Sequence, residues 1–130
     1  TDRICFVEKV RHWKTTPIMV VEEYAPQSLI GTLPRNKKST VSLYFILTRK
    51  KGFLLKEATQ TIESSTADER IAPLLEIEMG SPLFYMERIF YEEKGVPVLF
   101  QITYTRADRL KFSVHLGREQ KEKEIKWVVY

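Results

Sequence analysis

Residues that carry chemistry are scarce in this sequence. There is one cysteine, Cys5, so an internal disulfide is excluded and a reducing compartment, the cytoplasm, fits. Cys5 sits between Ile4 and Phe6 and reads as a small core residue rather than a nucleophile. The two histidines, His12 and His115, form no H-x-x-x-H pair, and with no C-x-x-C either a metal site is not expected. Five glycines, none clustered, build no phosphate-cradling loop. Neither G-x-G-x-x-G, G-x-x-x-x-G-K-[ST] nor G-x-S-x-G occurs, so no cofactor is expected. No apolar run approaches the ~20 residues of a membrane span. The start, Thr1-Asp2-Arg3, is polar and leads straight into a strand, unlike a signal peptide. A chain starting without Met reads as a piece of something longer. With no catalytic constellation in sight, the sequence points to a binding module and not to an enzyme.

What is present is ordinary in bulk and unusual in order. Hydrophobic residues make up 43% and charged residues 29% of 130 positions, as in one globular domain spanning 1–130. The net charge of +4 comes largely from Lys37-Lys38, Arg49-Lys50-Lys51 and Lys121/Lys123, beside turns or ends, where a solvated surface is the simplest reading. One passage, however, occurs twice. Ile4–Arg11 followed by Pro17–Tyr24 is matched by Leu83–Phe90 followed by Pro97–Tyr104. Glu8-Lys9 and Glu87-Arg88 are 79 apart, whereas Pro17/Tyr24 and Pro97/Tyr104 are 80 apart. The one-residue slip falls in the break, where a turn absorbs it. One β-hairpin used twice predicts a pseudo-symmetric domain with a cleft or a sheet between the copies, where a ligand is to be sought.

The remaining elements follow from periodicity and caps. Strands are expected over 4–14 and 18–24, then a loop over 27–38 with a short helical turn. Ser39 is a suitable N-cap for a helix over 40–51, with Leu43, Ile46 and Leu47 on one face and Gly52 after its end. A strand follows over 53–62, and Thr66-Ala67-Asp68-Glu69 has the form of a capping box opening a helix to Leu75. Pro73 keeps that helix short. Met79–Pro82 turns into the second hairpin, 83–93 and 96–106, with further strands at 110–116 and, as strand or ordered tail, Trp127–Tyr130. The fold class is α+β: an antiparallel sheet of five or six strands with two short helices.

Two features can bind a ligand. Lys9 and Arg11, two apart on a strand, share a face and suit a carboxylate or phosphate, with an outward polar face as the competing reading. Ser42 and Tyr44 open the first helix, whose free N–H groups suit an anion, with simple capping and packing as the alternative. Carboxylate pairs Glu22-Glu23 and Glu92-Glu93 fall at strand ends or hairpin tips, where solvation is expected.

The order hairpin, Ser42-Leu43-Tyr44 helix, strand, short helix, Leu74–Leu83, hairpin, Arg106-Ala107-Asp108-Arg109-Leu110-Lys111-Phe112 resembles the UTRA domain, the effector-binding domain of HutC-type GntR-family transcription regulators. Pro17, Tyr24, Pro26, Met79-Gly80-Ser81-Pro82-Leu83, Gly95-Val96-Pro97 and Tyr104 carry it. The last segment is similar to the family's R-G-D-R-Y-x-F, with Ala107 for Gly and Leu110 for Tyr.

The resemblance implies a chorismate-lyase-like fold without lyase activity, a homodimer, and operator DNA bound through an N-terminal winged helix-turn-helix absent from this chain. It implies that a first strand and helix are missing too. It also makes Lys9, Arg11, Ser42 and Tyr44 the effector-binding residues. Where family members often carry Glu, Glu and Tyr, this chain has Val21, Leu99 and Thr105, which are expected to line the pocket. The effector expected is therefore a small anionic metabolite with one carboxylate or phosphate and a mostly apolar body. The function expected is a small-molecule sensor and dimerisation domain of a bacterial repressor, cytoplasmic, with no membrane partner. A chorismate-lyase-like enzyme and a free-standing basic nucleic-acid binder are the alternatives. The first lacks an acidic or histidine catalytic set. For the second, aromatic residues are on core strands rather than among the basic runs.

Overall fold

The doubled passage folds as two hairpins of one sheet in the computed structural model, which describes residues 3–33, 41–116 and 124–129. Strands β1 (Ile4–Trp13) and β2 (Thr16–Pro26) form the first hairpin. After β2 come the short helix α1 (Gln27–Ile30), the helix α2 (Leu43–Phe45) with its π-helical continuation Ile46–Lys50, the strand β3 (Glu57–Thr66) and the helix α3 (Ile71–Leu75). Strands β4 (Pro82–Tyr91) and β5 (Pro97–Arg106) form the second hairpin, and β6 (Leu110–His115) and β7 (Glu124–Val129) follow. The main sheet is antiparallel in the order β1-β2-β5-β4-β3, and β6 pairs with β7 in a separate two-stranded sheet.

The registers obey the repeat. Glu22 pairs with Ile102 across β2 and β5, and the same two residues are equivalents at the offset of 80, so a pseudo-two-fold axis passes between them. Lys9 opposes Val21 in the first hairpin, as Arg88 opposes Gln101 in the second. Each hairpin has an irregularity near its tip, between Arg11 and His12 and between Phe90 and Tyr91. The slip lies in the turns. Lys14 and Thr15 link Trp13 to Thr16, with Lys14 at φ 56°. The second turn is longer: Glu92 N–H donates to the Val96 carbonyl at 2.9 Å around Glu93, Lys94 and Gly95, and Gly95 takes φ 86°. The Glu92 carboxylate is part of this turn, accepting from the N–H groups of Lys94 (2.7 Å) and Val96 (3.1 Å).

Alternate residues point to opposite faces of the sheet, and each face is covered at one end. On one face Val7, Ala25 and Leu99 are buried with Ile30, Leu43, Ile46 and Leu47 of the helical layer. On the other, Val20 and Leu83 are buried with Ile71, Ala72 and Leu75 of α3. The part of the first face that the helical layer leaves open is where the site lies.

Three boundaries differ from the sequence expectation. The helix cap is Ser42, whose Oγ accepts from Phe45 N–H at 3.2 Å; Ser39 lies outside the described residues, as do Lys37, Lys38, Lys121 and Lys123. The third strand runs over Glu57–Thr66, not 53–62, because Phe53 and Leu55 are drawn onto the helical core instead. Thr66 closes that strand and opens no capping box. Asp68 does the capping, accepting from Arg70 N–H (3.0 Å) and Ile71 N–H (2.8 Å). Pro73 then falls in the first turn of α3, where a missing N–H costs nothing. Of the expected apolar tail, Trp127 to Val129 lie in β7, and Tyr130 is outside the described residues.

Candidate functional site

Four residues make the floor. Val21 and Glu23 of β2 oppose Thr103 and Gln101 of β5, and the pseudo-axis relates Val21 to Gln101 and Glu23 to Thr103. On the flanking strands stand Lys9 and Arg88, also equivalents. Together with Arg11, Met19, Ser42, Tyr44, Gln60, Met86 and Phe90 they line a pocket of about 370 Å³. The start of α2 forms a wall, because the buried Leu43 and Leu47 tie the helix to the sheet beside it.

Glu23 organises the floor. It is buried, contrary to the solvated strand end expected for it, as is Glu22. Its Oε1 accepts from the Lys9 ammonium at 3.3 Å and from Leu43 N–H at 3.1 Å, and its Oε2 accepts from the Gln101 amide at 2.8 Å. Lys9 also donates to the Val41 carbonyl at 3.4 Å. A buried carboxylate is tolerable only with such partners. These bonds hold α2 to the sheet, and they leave the Lys9 charge largely compensated.

The residues expected to bind an effector converge in part. Lys9, Arg11, Ser42, Tyr44 and Val21 all line the pocket. Arg11 is exposed at its mouth and has no ion pair among the described residues. Tyr44 lies with its ring 5.1 Å from that of Phe90. Leu99 and Thr105 are corrections. Both lie on the pocket's face of the sheet but outside its lining. Leu99 belongs to the core with Leu43 and Leu47, because the helical layer covers its end of β5. Thr105 is fully buried, and its Oγ1 has no hydrogen-bond partner among the described residues.

Arg88 was not among the expected residues, although the repeat pairs it with Lys9. Its Nε donates to Gln60 Oε1 at 2.6 Å and its guanidinium lies 5.8 Å from the Phe90 ring centre. Burial pulls its pKa below the usual arginine value, with only Tyr44 acting the other way. Among the described residues it has no carboxylate partner. The lining thus holds three cations and one carboxylate, a surplus of positive charge, with apolar patches at Met19, Val21, Met86 and Phe90.

The opposite face carries a second charged group. Arg70 donates to Glu8 Oε2 at 2.8 Å and to Glu22 Oε2 at 2.9 Å, and lies over the Tyr104 ring at 5.6 Å. Burial raises the Glu22 pKa above its ordinary 4.5, with Arg70 opposing and Glu8 adding to the rise. This cluster pins α3 to the first hairpin.

Comparison with known proteins adds to this geometry. Residues 1–111 match the model of the UTRA domain. The chain is 28% identical over 105 residues to the HTH-type transcriptional regulator Rv0792c of Mycobacterium tuberculosis, covering 78% of this chain and 39% of that protein. It is 25% identical over 112 residues to the HTH-type transcriptional repressor NagR of Bacillus subtilis, covering 86% of this chain and 46% of that one. The structure of a GntR-family transcriptional regulator from Enterococcus faecalis V583 superposes with a TM-score of 0.68 at 28% identity, covering 84% of this chain and 76% of that chain. The chain therefore spans less than half the length of either curated relative.

Proposed function

The chain belongs to the UTRA domain family, and on that premise we propose that it is the effector-sensing and dimerisation domain of a bacterial transcription regulator of the HutC-type GntR group. The effector is a small anionic metabolite held by Lys9, Arg11, Ser42 and Tyr44. The observation that carries this reading is the meeting of these four side chains, from β1 and the start of α2, in one pocket with surplus positive charge. Operator DNA is bound through a helix-turn-helix domain outside this chain, and the working unit is a cytoplasmic homodimer. By analogy with the repressor relative, the regulator is a repressor.

The pocket is bordered by both hairpins and by the start of α2. An effector regulates only if it binds two dimer arrangements with different affinity, changing the spacing of the DNA-reading heads. The site does no covalent chemistry in this reading, and incubation with chorismate is expected to give no turnover. The direct test is calorimetric titration of small anions into the wild-type chain and Arg11→Ala. Binding that Arg11→Ala weakens supports the reading; wild-type and variant chains that bind alike refute it.

A further inference from the structure

The two hairpins are copies, yet their charge is not. In the first, the cation Lys9 lies diagonally across from Glu23 and pairs with it at 3.3 Å. The pseudo-two-fold axis carries Lys9 onto Arg88 and Glu23 onto Thr103. The second hairpin therefore has the cation without its acid. Arg88 is half-buried, its Nε is taken by Gln60, and no carboxylate reaches it among the described residues. Thr103 stands where the acid would be and faces the same pocket.

We infer that Arg88 and Thr103 form a carboxylate subsite of this pocket, in which a ligand carboxylate takes the place that Glu23 fills for Lys9. The inference rests on the pocket's being the effector site and specifies its ligand as a carboxylic acid. Glu23 shows the arrangement the sheet supports: a carboxylate lying over the β2–β5 floor, taking donors from a flanking strand and from the strand opposite. At the copy, Arg88 offers the two terminal nitrogens of its fork and Thr103 a hydroxyl. A planar carboxylate matches that fork in a way a lone ammonium does not select. Leaving Arg88 partly desolvated and without a counter-charge costs stability, and a bound carboxylate recovers it. Arg11, exposed at the mouth and without an ion pair among the described residues, then adds a second cation to the same ligand.

The test supplies the missing acid from the protein itself. Thr103→Glu should rebuild the pair, raising the melting temperature over Thr103→Gln at neutral pH, and Arg88→Gln in the same chain should remove that gain. Benzoate, followed by backbone amide shifts, should move Arg88, Gln101 and Thr103 in the wild-type chain. Its affinity should fall roughly ten-fold or more in Arg88→Gln and vanish in Thr103→Glu. The benzoate arm decides the matter even where Thr103→Glu fails to fold. Benzoate shifts that persist unchanged in Arg88→Gln overturn the subsite and leave the pocket reading standing if they centre on Arg11 and Ser42. Inorganic phosphate binding these residues in preference to benzoate overturns the carboxylate assignment. No shift at any lining residue with either anion overturns the subsite and the pocket reading together.

Discussion

Glu23 shows how a residue's setting can be invisible from its neighbours in sequence. Lys9 and Arg11 were legible because strand alternation alone puts them on one face. The burial of Glu23 was not, since its three donors come from β1, β5 and the start of α2. Removing it leaves Lys9 without its counter-charge, so Glu23→Ala is expected to lower stability by about 3 kcal/mol, the lower end for breaking a buried pair. Urea denaturation showing a loss under about 1 kcal/mol, as for a surface pair, contradicts this. Thr105 makes the opposite case. Its Oγ1 is buried with no partner among the described residues, so Thr105→Val should stabilise the chain by about 1 kcal/mol, the smaller estimate for an unsatisfied hydroxyl. A destabilised Thr105→Val would mean that the hydroxyl has a partner. Glu22 sets a pH dependence. Burial holds its folded pKa above 4.5, so the folded chain binds that proton more readily than the unfolded chain does. Its contribution is favourable below 4.5 and is lost as pH rises through the folded value. Stability measured from pH 4.5 upward should fall more steeply in the wild-type chain than in Glu22→Gln, and parallel curves would exclude the effect.

At the scale of elements, the repeat was the strongest signal and gave both hairpins, the slip between them and their place in one sheet. It succeeded because a β-hairpin is fixed by local alternation and turn length. The single-copy elements were harder. The cap of α2 was expected at Ser39, but Ser42 carries the hydrogen bond to Phe45. Hydroxyls three apart look alike in sequence, and the choice is made by Glu23 receiving Leu43 N–H. Ser42→Ala should accordingly cost about 1 kcal/mol, as for other N-caps. An equilibrium melt unchanged by the substitution would show that the Glu23 contact alone fixes the helix start. The third strand was misplaced for a related reason. Nearly all of its side chains are exposed, so pairing with β4 creates it, whereas the more apolar Phe53 and Leu55 before it serve the core. Arg88 was within reach of the repeat, as the equivalent of Lys9, but the family resemblance places the basic pair on the first hairpin only.

For the whole molecule, the account is of a sheet whose two halves are copies in shape and unequal in charge, open to a ligand on one face and braced by α3 on the other. We propose that this unit acts as a homodimer, joined near the second hairpin or the C-terminal segment, whose Trp127, Val128 and Val129 pair along β6. Sedimentation at ~100 μM, well above a micromolar dissociation constant, should give the dimer, and a monomer there refutes it. The central claim is that the pocket is an effector site for a small anion with an apolar body, in which Arg11 takes part. The measurement that meets it most directly is a thermal-shift screen of small carboxylates, phosphates and sugar phosphates on the wild-type chain and Arg11→Ala side by side. The account predicts that anions with apolar bodies raise the wild-type melting temperature and that Arg11→Ala loses most of the rise, a weakening of about 1.5–3 kcal/mol for a hydrogen bond to a charged group. Stabilisation by polyhydroxylated sugar phosphates alone, or an equal rise in Arg11→Ala, would contradict it.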